Sequence, residues 1–312
     1  MVKPATLIRQ YKKHSSGFKD WDQSSHADKW LLFPENVGPN LSIDEVSMSN
    51  GELYTLLTNK SGKGRKGSLV ASIQGTRTRD LVWVLLKLPA RLRATILEIS
   101  MDMAKNIESA VREVFFNAKI VTDRFHVVQL AQRCLQQVRI QQWRKELENE
   151  NEEMALAHKF GQKYRPEELV NGDTPKQLLA RCRFSLMKFE SQIKDNNQWL
   201  RLRTAFERYP DLEQAYRHTL QLREIFNLKD RRVAQVRLDA WIKKSKEKCF
   251  KEFYSAAKSL KWHRETILNF FDNRTTNASA ESFNARIKLF RANQKGVRDT
   301  KFFLFQICKL YA

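Results

Sequence analysis

Two changes of hydrophobic period, at Leu41 and after Phe125, constrain this chain more than any other feature. From Leu41 the segments LSIDEVSM, ELYTLLTN and SLVASIQG read as short strands. The first two are separated by Asn50-Gly51, a pair suited to the positive φ angles of a tight hairpin turn. Helix-like TRDLVWVLLKLP, strand TILEISMD, helix MAKNIESAVREVF and strand NAKIVTDRF follow. That alternation predicts right-handed crossovers between parallel strands. The expected core is therefore a mixed five-stranded α/β sheet, three strands antiparallel and two reached through helices.

After Phe125 strand signals vanish for about 150 residues, the span of a whole domain. Long helical stretches replace them, broken near Pro166, Gly172 and Pro210. The acid-rich run Glu146, Glu148, Glu150, Glu152 and Glu153 reads there as a solvated helix face. The last segment, NRTTNASAESFNARIKLFRANQKGVRDTKFFLFQI, resumes with Asn277 or Ser279 as a helix cap. Residues 1–40 hold scattered aromatics among Pro4, Gly17, Pro34, Gly38 and Pro39, which predicts an arm with little regular structure. The expected organisation is an arm (1–40), a first core part (41–129), an all-helical insertion (130–270) and a returning core helix (271–312).

Charge narrows the partners. Lys and Arg number 56 against 35 Asp and Glu, a net +21, which favours polyanions. The loop NKSGKGRKGS carries Lys60, Lys63, Arg65 and Lys66 without an acid, so its tip could meet a phosphate backbone; a solvated turn would read the same way. Cys134, Cys182, Cys249 and Cys308 have neither zinc-ligand nor disulfide spacing. No apolar run reaches membrane length and no signal-peptide pattern opens the chain, so the expected location is cytoplasmic, with no membrane partner.

Acids at strand ends are the candidates for chemistry, because hard divalent cations take carboxylate oxygens. Asp44 lies inside the first strand, and alternation sends it and Glu45 to opposite faces. Asp102 ends the fourth strand, at the edge where open α/β sheets form sites, although a helix cap would also place an acid there. Asp123 closes the fifth strand and competes with it. A strand order 3-2-1-4-5 puts Asp123 one strand farther from Asp44, roughly 5 Å, which favours Asp102. Glu281 occupies the first turn of the last helix, whose stripe Phe283, Ile287, Phe290 would pack on the sheet and leave Glu281, Asn284 and Lys288 beside the cleft. Arg124, Arg286, Lys288 and Arg291 are the nearby cations expected to hold a DNA backbone.

The segments LSIDEVSMSNGELYTLLTN, ISMDMAKNIESAVREVFFNAKIVTDRFHVVQL and TTNASAESFNARIKLFRANQKGVRDTKFFLFQI together resemble the ISL3-type insertion-sequence DDE transposases. The middle block is the most specific. The resemblance implies an RNase H-like fold with a helical domain inserted before the last catalytic helix. It implies Asp44, Asp102 and Glu281 as metal ligands for two Mg²⁺ or Mn²⁺ ions, with Asp123 and His126 as a D-x-x-H element that positions substrate. The implied reaction is phosphodiester hydrolysis at element ends and strand transfer into target DNA. The implied partners are double-stranded DNA, further copies of the chain, and a companion protein carrying the N-terminal zinc-finger and helix-turn-helix region. A bacterial, nucleoid-associated location belongs to the same expectation. The alternatives are a structure-specific nuclease on the same core and an inactive DNA-binding relic.

Overall fold

The computed structural model describes residues 4–47, 51–295 and 297–312. The chain forms two compact units, one from the segments up to Asp123 and from Asn273 onward, the other from Arg124–Asp272.

The first unit is built on a sheet of six strands: β1 (Trp30–Leu32), β2 (Asn40–Ser47), β3 (Leu53–Asn59), β4 (Leu69–Gln74), β5 (Glu98–Met101) and β6 (Lys119–Thr122), in the order β1-β4-β3-β2-β5-β6. Strands β2, β3 and β4 form the antiparallel meander, and β5 and β6 run parallel to β2. At the β2–β3 turn Gly51 takes φ 82°, which a residue with a Cβ adopts only under strain; Asn50 lies outside the described residues.

The expected five-stranded sheet is corrected by β1. Proline and glycine argued for an irregular arm, but the arm opens with α1 (Pro4–Gln10), and its run Trp30–Leu32 pairs antiparallel with β4, Leu31 opposite Ser72. Burial explains the pairing. Leu31 is fully buried on one sheet face and Leu32 nearly so on the other, so an apolar dipeptide flanked by breakers still gains a strand's worth of core.

Each sheet face carries its own helices. On one lie α2 (Thr78–Leu85) and α4 (Lys105–Val114), with the short α3 (Ala90–Ala94) between them in sequence; Leu81, Leu85, Ile107 and Val111 pack there with Ile43, Leu57 and Ile99. The helix expected over TRDLVWVLLKLP ends early, at Leu85, and Pro89 takes the N-cap position of the separate α3. On the other face α13 (Ala278–Asn293) brings Phe283 and Ile287 onto Val46 and Leu56, and α14 (Thr300–Tyr311) adds Phe303, Leu304 and Ile307. Phe290 stacks on Phe303 with centroids 5.6 Å apart, so the expected stripe is the packing face of α13.

The second unit contains α5 (Arg124–Lys159), α6 (Pro175–Arg181), α7 (Asn196–Arg208), α8 (Pro210–Ile225), α9 (Arg231–Lys244), α10 (Tyr254–Trp262), α11 (Arg264–Leu268) and the start of α12 (Phe270–Asn273). Buried Val127, Ala131, Leu135 and Val138 line the first half of α5 at helical spacing. Its acidic second half is more than a solvated face: Glu146 accepts a 2.7 Å hydrogen bond from the Tyr209 hydroxyl, and Glu150 pairs with Lys176. Among the described residues, no helix is long and apolar enough to cross a membrane.

Phe283 is fully buried, so Phe283→Ala should lower the unfolding free energy by about 3–5 kcal/mol. A denaturant titration checks this; an unchanged midpoint would mean that α13 is not seated by this stripe.

Candidate active site

Three aspartates sit where the parallel strands leave their ladder. Ser42 pairs with Ser100 at the end of the β2–β5 pairing; Asp44 lies two residues farther along β2, and Asp102 follows the end of β5 directly. Met101 pairs with Thr122 across β5 and β6, a bridge closed by the Asp123 N–H donating to the Met101 carbonyl at 2.9 Å, so that Asp123 is the first residue past β6 as Asp102 is the first past β5. Neighbouring strands are spaced by about 4.8 Å, so the three form a short row. With a period of two, Asp44 shares its face with Ser42 and Val46, the face that carries α13.

A buried chain of polar groups seats α13 there. The Ser42 and Ser100 hydroxyls lie 3.0 Å apart, and the Ser100 hydroxyl also donates to Asn277 Oδ1 at 2.8 Å. All three residues are fully buried. Asn277 therefore holds the N-cap position without capping: its side chain turns inward to Ser100. One turn later the Glu281 N–H donates to the Asn277 carbonyl, and Glu281 and Asp123 offer carboxylate oxygens within 4.8 Å of each other. A further turn on, Asn284 Nδ2 donates to Asp44 Oδ2 at 2.8 Å. Serines two residues before Asp44 and before Asp102, in otherwise apolar strands, were the sequence signal for this arrangement.

The acids differ in surroundings. Asp123 is only 2% exposed, whereas Asp44, Asp102 and Glu281 are half-buried. Asp44 Oδ1 accepts the Glu45 N–H at 2.8 Å, and Asp102 Oδ1 accepts the Ala104 N–H at 3.0 Å just ahead of α4. Asp102 thus supports a helix start while its carboxylate stays in the row. Burial first, then the charges of Asp102 and Asp44, raises the Glu45 pKa above the ordinary carboxylate value. Carboxylates as close as those of Asp123 and Glu281 repel one another, and hard oxygen donors of this kind are the type that divalent cations take. Among the described residues, Asp44, Asp102 and Glu281 do not by themselves bring three ligand atoms within 4.8 Å of one another; Glu281 lies beside Asp123.

The expected DNA-contacting cations fall into different settings. Lys63, Arg65 and Lys66 are exposed on the β3–β4 loop. Lys60 is not: it pairs with buried Glu98 at 3.4 Å, and burial, opposed by the Glu98 charge, lowers its pKa. Arg286 Nη1 donates to the Gly64 carbonyl at 2.6 Å, so α13 grips this loop. Gly64 has φ 70°, and a Cβ there would stand 3.3 Å from the guanidinium. Arg291 donates to the Ser47 carbonyl at 3.2 Å, and Lys288 is exposed. Arg124 and His126 belong to the second unit, on the first turn of α5; Arg124 lies 5.8 Å from the Phe270 ring centroid, and His126 Nε2 is buried with no hydrogen-bond partner.

Residues 41–307 match the profile of a transposase family of the ISL3 type. The chain belongs to this family. The matched span runs from β2 into α14, so the transposase profile covers the aspartate row, the whole second unit and Glu281. Comparison with curated proteins gives no match.

Two measurements probe the geometry of the transposase. Asn284→Ala removes a buried hydrogen bond to a carboxylate and should cost about 1.5–3 kcal/mol of stability, read from a denaturant midpoint; no loss would deny that this bond holds α13. Glu45→Gln should stabilise the metal-free protein at neutral pH. A raised folded-state pKa means that ionising Glu45 opposes folding, so the gain should fade as pH drops through that pKa and be absent below the ordinary carboxylate value. A gain that grew on acidification would contradict it.

Proposed function

We propose that this transposase cuts phosphodiester bonds at the ends of its element and joins the freed 3′-hydroxyls to target DNA, on an RNase H-like core. One observation carries the reading: aspartates within or directly past three neighbouring parallel strands, with Glu281 brought beside Asp123 by α13. Asp44, Asp102 and Glu281 would hold two divalent ions, Mg²⁺ or Mn²⁺. Such ions, when bound, activate the attacking oxygen and stabilise the leaving oxygen of an in-line displacement.

The chain's own groups do the positioning. Asn284 fixes the rotamer of Asp44 by donating to its outer oxygen. Asp123, buried next to Glu281, orients that carboxylate and limits water around it. Exposed Lys63, Arg65, Lys66 and Lys288 would neutralise phosphates of double-stranded DNA, while Arg286 holds the loop that carries the first three. Joining two element ends needs at least two active sites, so the working form is an oligomer; a companion protein would supply recognition of the terminal repeats.

The test is excision and joining of a marked mini-element in cells, with the companion supplied, together with Mn²⁺ binding to the purified protein by calorimetry. Asp44→Asn, Asp102→Asn and Glu281→Gln should each lower joining by about a thousandfold, the worth of several kcal/mol of lost charge stabilisation, and weaken Mn²⁺ binding. Asp123→Asn should lower joining by about 10–100-fold. Full activity of Asp102→Asn with complete loss in Asp123→Asn would transfer the ligand role to Asp123. Cut ends without joined products would show a nuclease instead.

A further inference from the structure

The sheet face opposite α13 carries an aromatic and cationic ridge that the proposed chemistry leaves unused. Trp83, on α2, is 56% exposed, and Leu86 beside it is 46% exposed. An exposed tryptophan is uncommon, since its large apolar surface is worth burying. This one is also held in place. Lys87 Nζ sits 3.9 Å from the Trp83 centroid and 5.2 Å from that of Trp30, and the Trp30 ring meets Trp83 edge to face at 6.0 Å. Trp30 is itself backed by His26, stacked on it at 3.5 Å with the planes 6° apart.

The charges along the same outward line have one sign. Exposed Arg79 lies one turn before Trp83 on α2, Lys87 lies in the turn just after the helix, and exposed Arg91 follows on α3. Asp80 lies one residue off the line and pairs with Arg79 at 3.7 Å. A protein partner of ordinary size would need about 800 Å² on each side with an apolar centre. One tryptophan and one leucine ringed by cations do not provide that centre. A polyanion with flat apolar faces between its charges matches both features: bases stack on aromatic rings irrespective of sequence, and the phosphates meet the cations.

We infer that the ridge formed by Trp83, Lys87, Arg79 and Arg91 binds single-stranded nucleic acid, with a base stacked on the fixed Trp83 ring. Because Trp30 and Lys87 already hold that ring, little side-chain freedom is lost on binding. The inference does not depend on the carboxylate chemistry, since the ridge is on the other side of the sheet.

The experiment measures binding of the purified full chain to a fluorescent short oligothymidylate and to a mixed-sequence duplex, by anisotropy at several salt concentrations. Trp83→Ala should weaken oligothymidylate binding about tenfold or more and leave duplex binding unchanged, while Trp83→Phe keeps most of the affinity. Lys87→Ala should weaken binding and flatten its salt dependence. Asp44→Asn should leave oligothymidylate binding unaltered, which separates this site from the proposed catalytic one. Unchanged oligothymidylate affinity in Trp83→Ala, or equal weakening towards strand and duplex, would overturn the inference. So would a shift of Trp83→Ala to a smaller species in sedimentation, because the ridge would then be covered by a second copy.

Discussion

The hydrogen-bonded chain from Ser42 through Ser100 to Asn277 is the constraint on which the rest of the first unit depends. It joins two parallel strands to the start of a helix that returns from far along the sequence. A hydrophobic stripe can seat a helix on a sheet but leaves it free to slide by a residue or a turn. Directional bonds in a dry interior remove that freedom, because any other register would strand the two hydroxyls. The arrangement is not free of cost: Asn277 Nδ2 is buried without an acceptor, a penalty of about 1–3 kcal/mol. With the helix start fixed, Glu281 and Asn284 are carried to Asp123 and Asp44 by helical periodicity alone.

The charge distribution divides in the same way. In a chain of net charge +21, Asp44, Asp102 and Asp123 gather at one edge of the sheet, and burial together with the charges of Asp102 and Asp44 raises the Glu45 pKa. Where a cation of the chain's own is needed for structure it is spent internally: Lys60 on Glu98, Arg286 on a loop carbonyl. Lys63 and Lys66, by contrast, stand exposed on the loop tip.

Much of this was readable in the residues. Asn50-Gly51 marked the hairpin, the strand and helix alternation gave the parallel pairings, and the strand pattern put Asp44 inside a strand and Asp102 and Asp123 at strand ends. The side choice of Glu281 was not readable: strand order measures distance across the sheet, whereas the angle at which a helix crosses it depends on partners such as Asn277. The arm's strand β1 escaped because proline and glycine dominate local propensity while its pairing energy comes from β4, about forty residues away. Lys60 and Glu146 escaped for a shared reason. A charged residue reads as solvated until the tertiary fold supplies a buried opposite charge or a tyrosine hydroxyl, and both partners are remote in sequence.

The position of the second unit in the chain has a consequence for the time at which the protein becomes competent. Asp123 leaves the ribosome before all of Arg124–Asp272, and Glu281 after it. Closing a flexible loop of that length costs on the order of 4–5 kcal/mol, and the cost is smaller once the intervening chain is itself compact. During synthesis the three aspartates are therefore made before the whole second unit, and Glu281 only after it. A product that stops within the second unit carries all six strands of the sheet but lacks Glu281, and so the pair that Glu281 makes with Asp123.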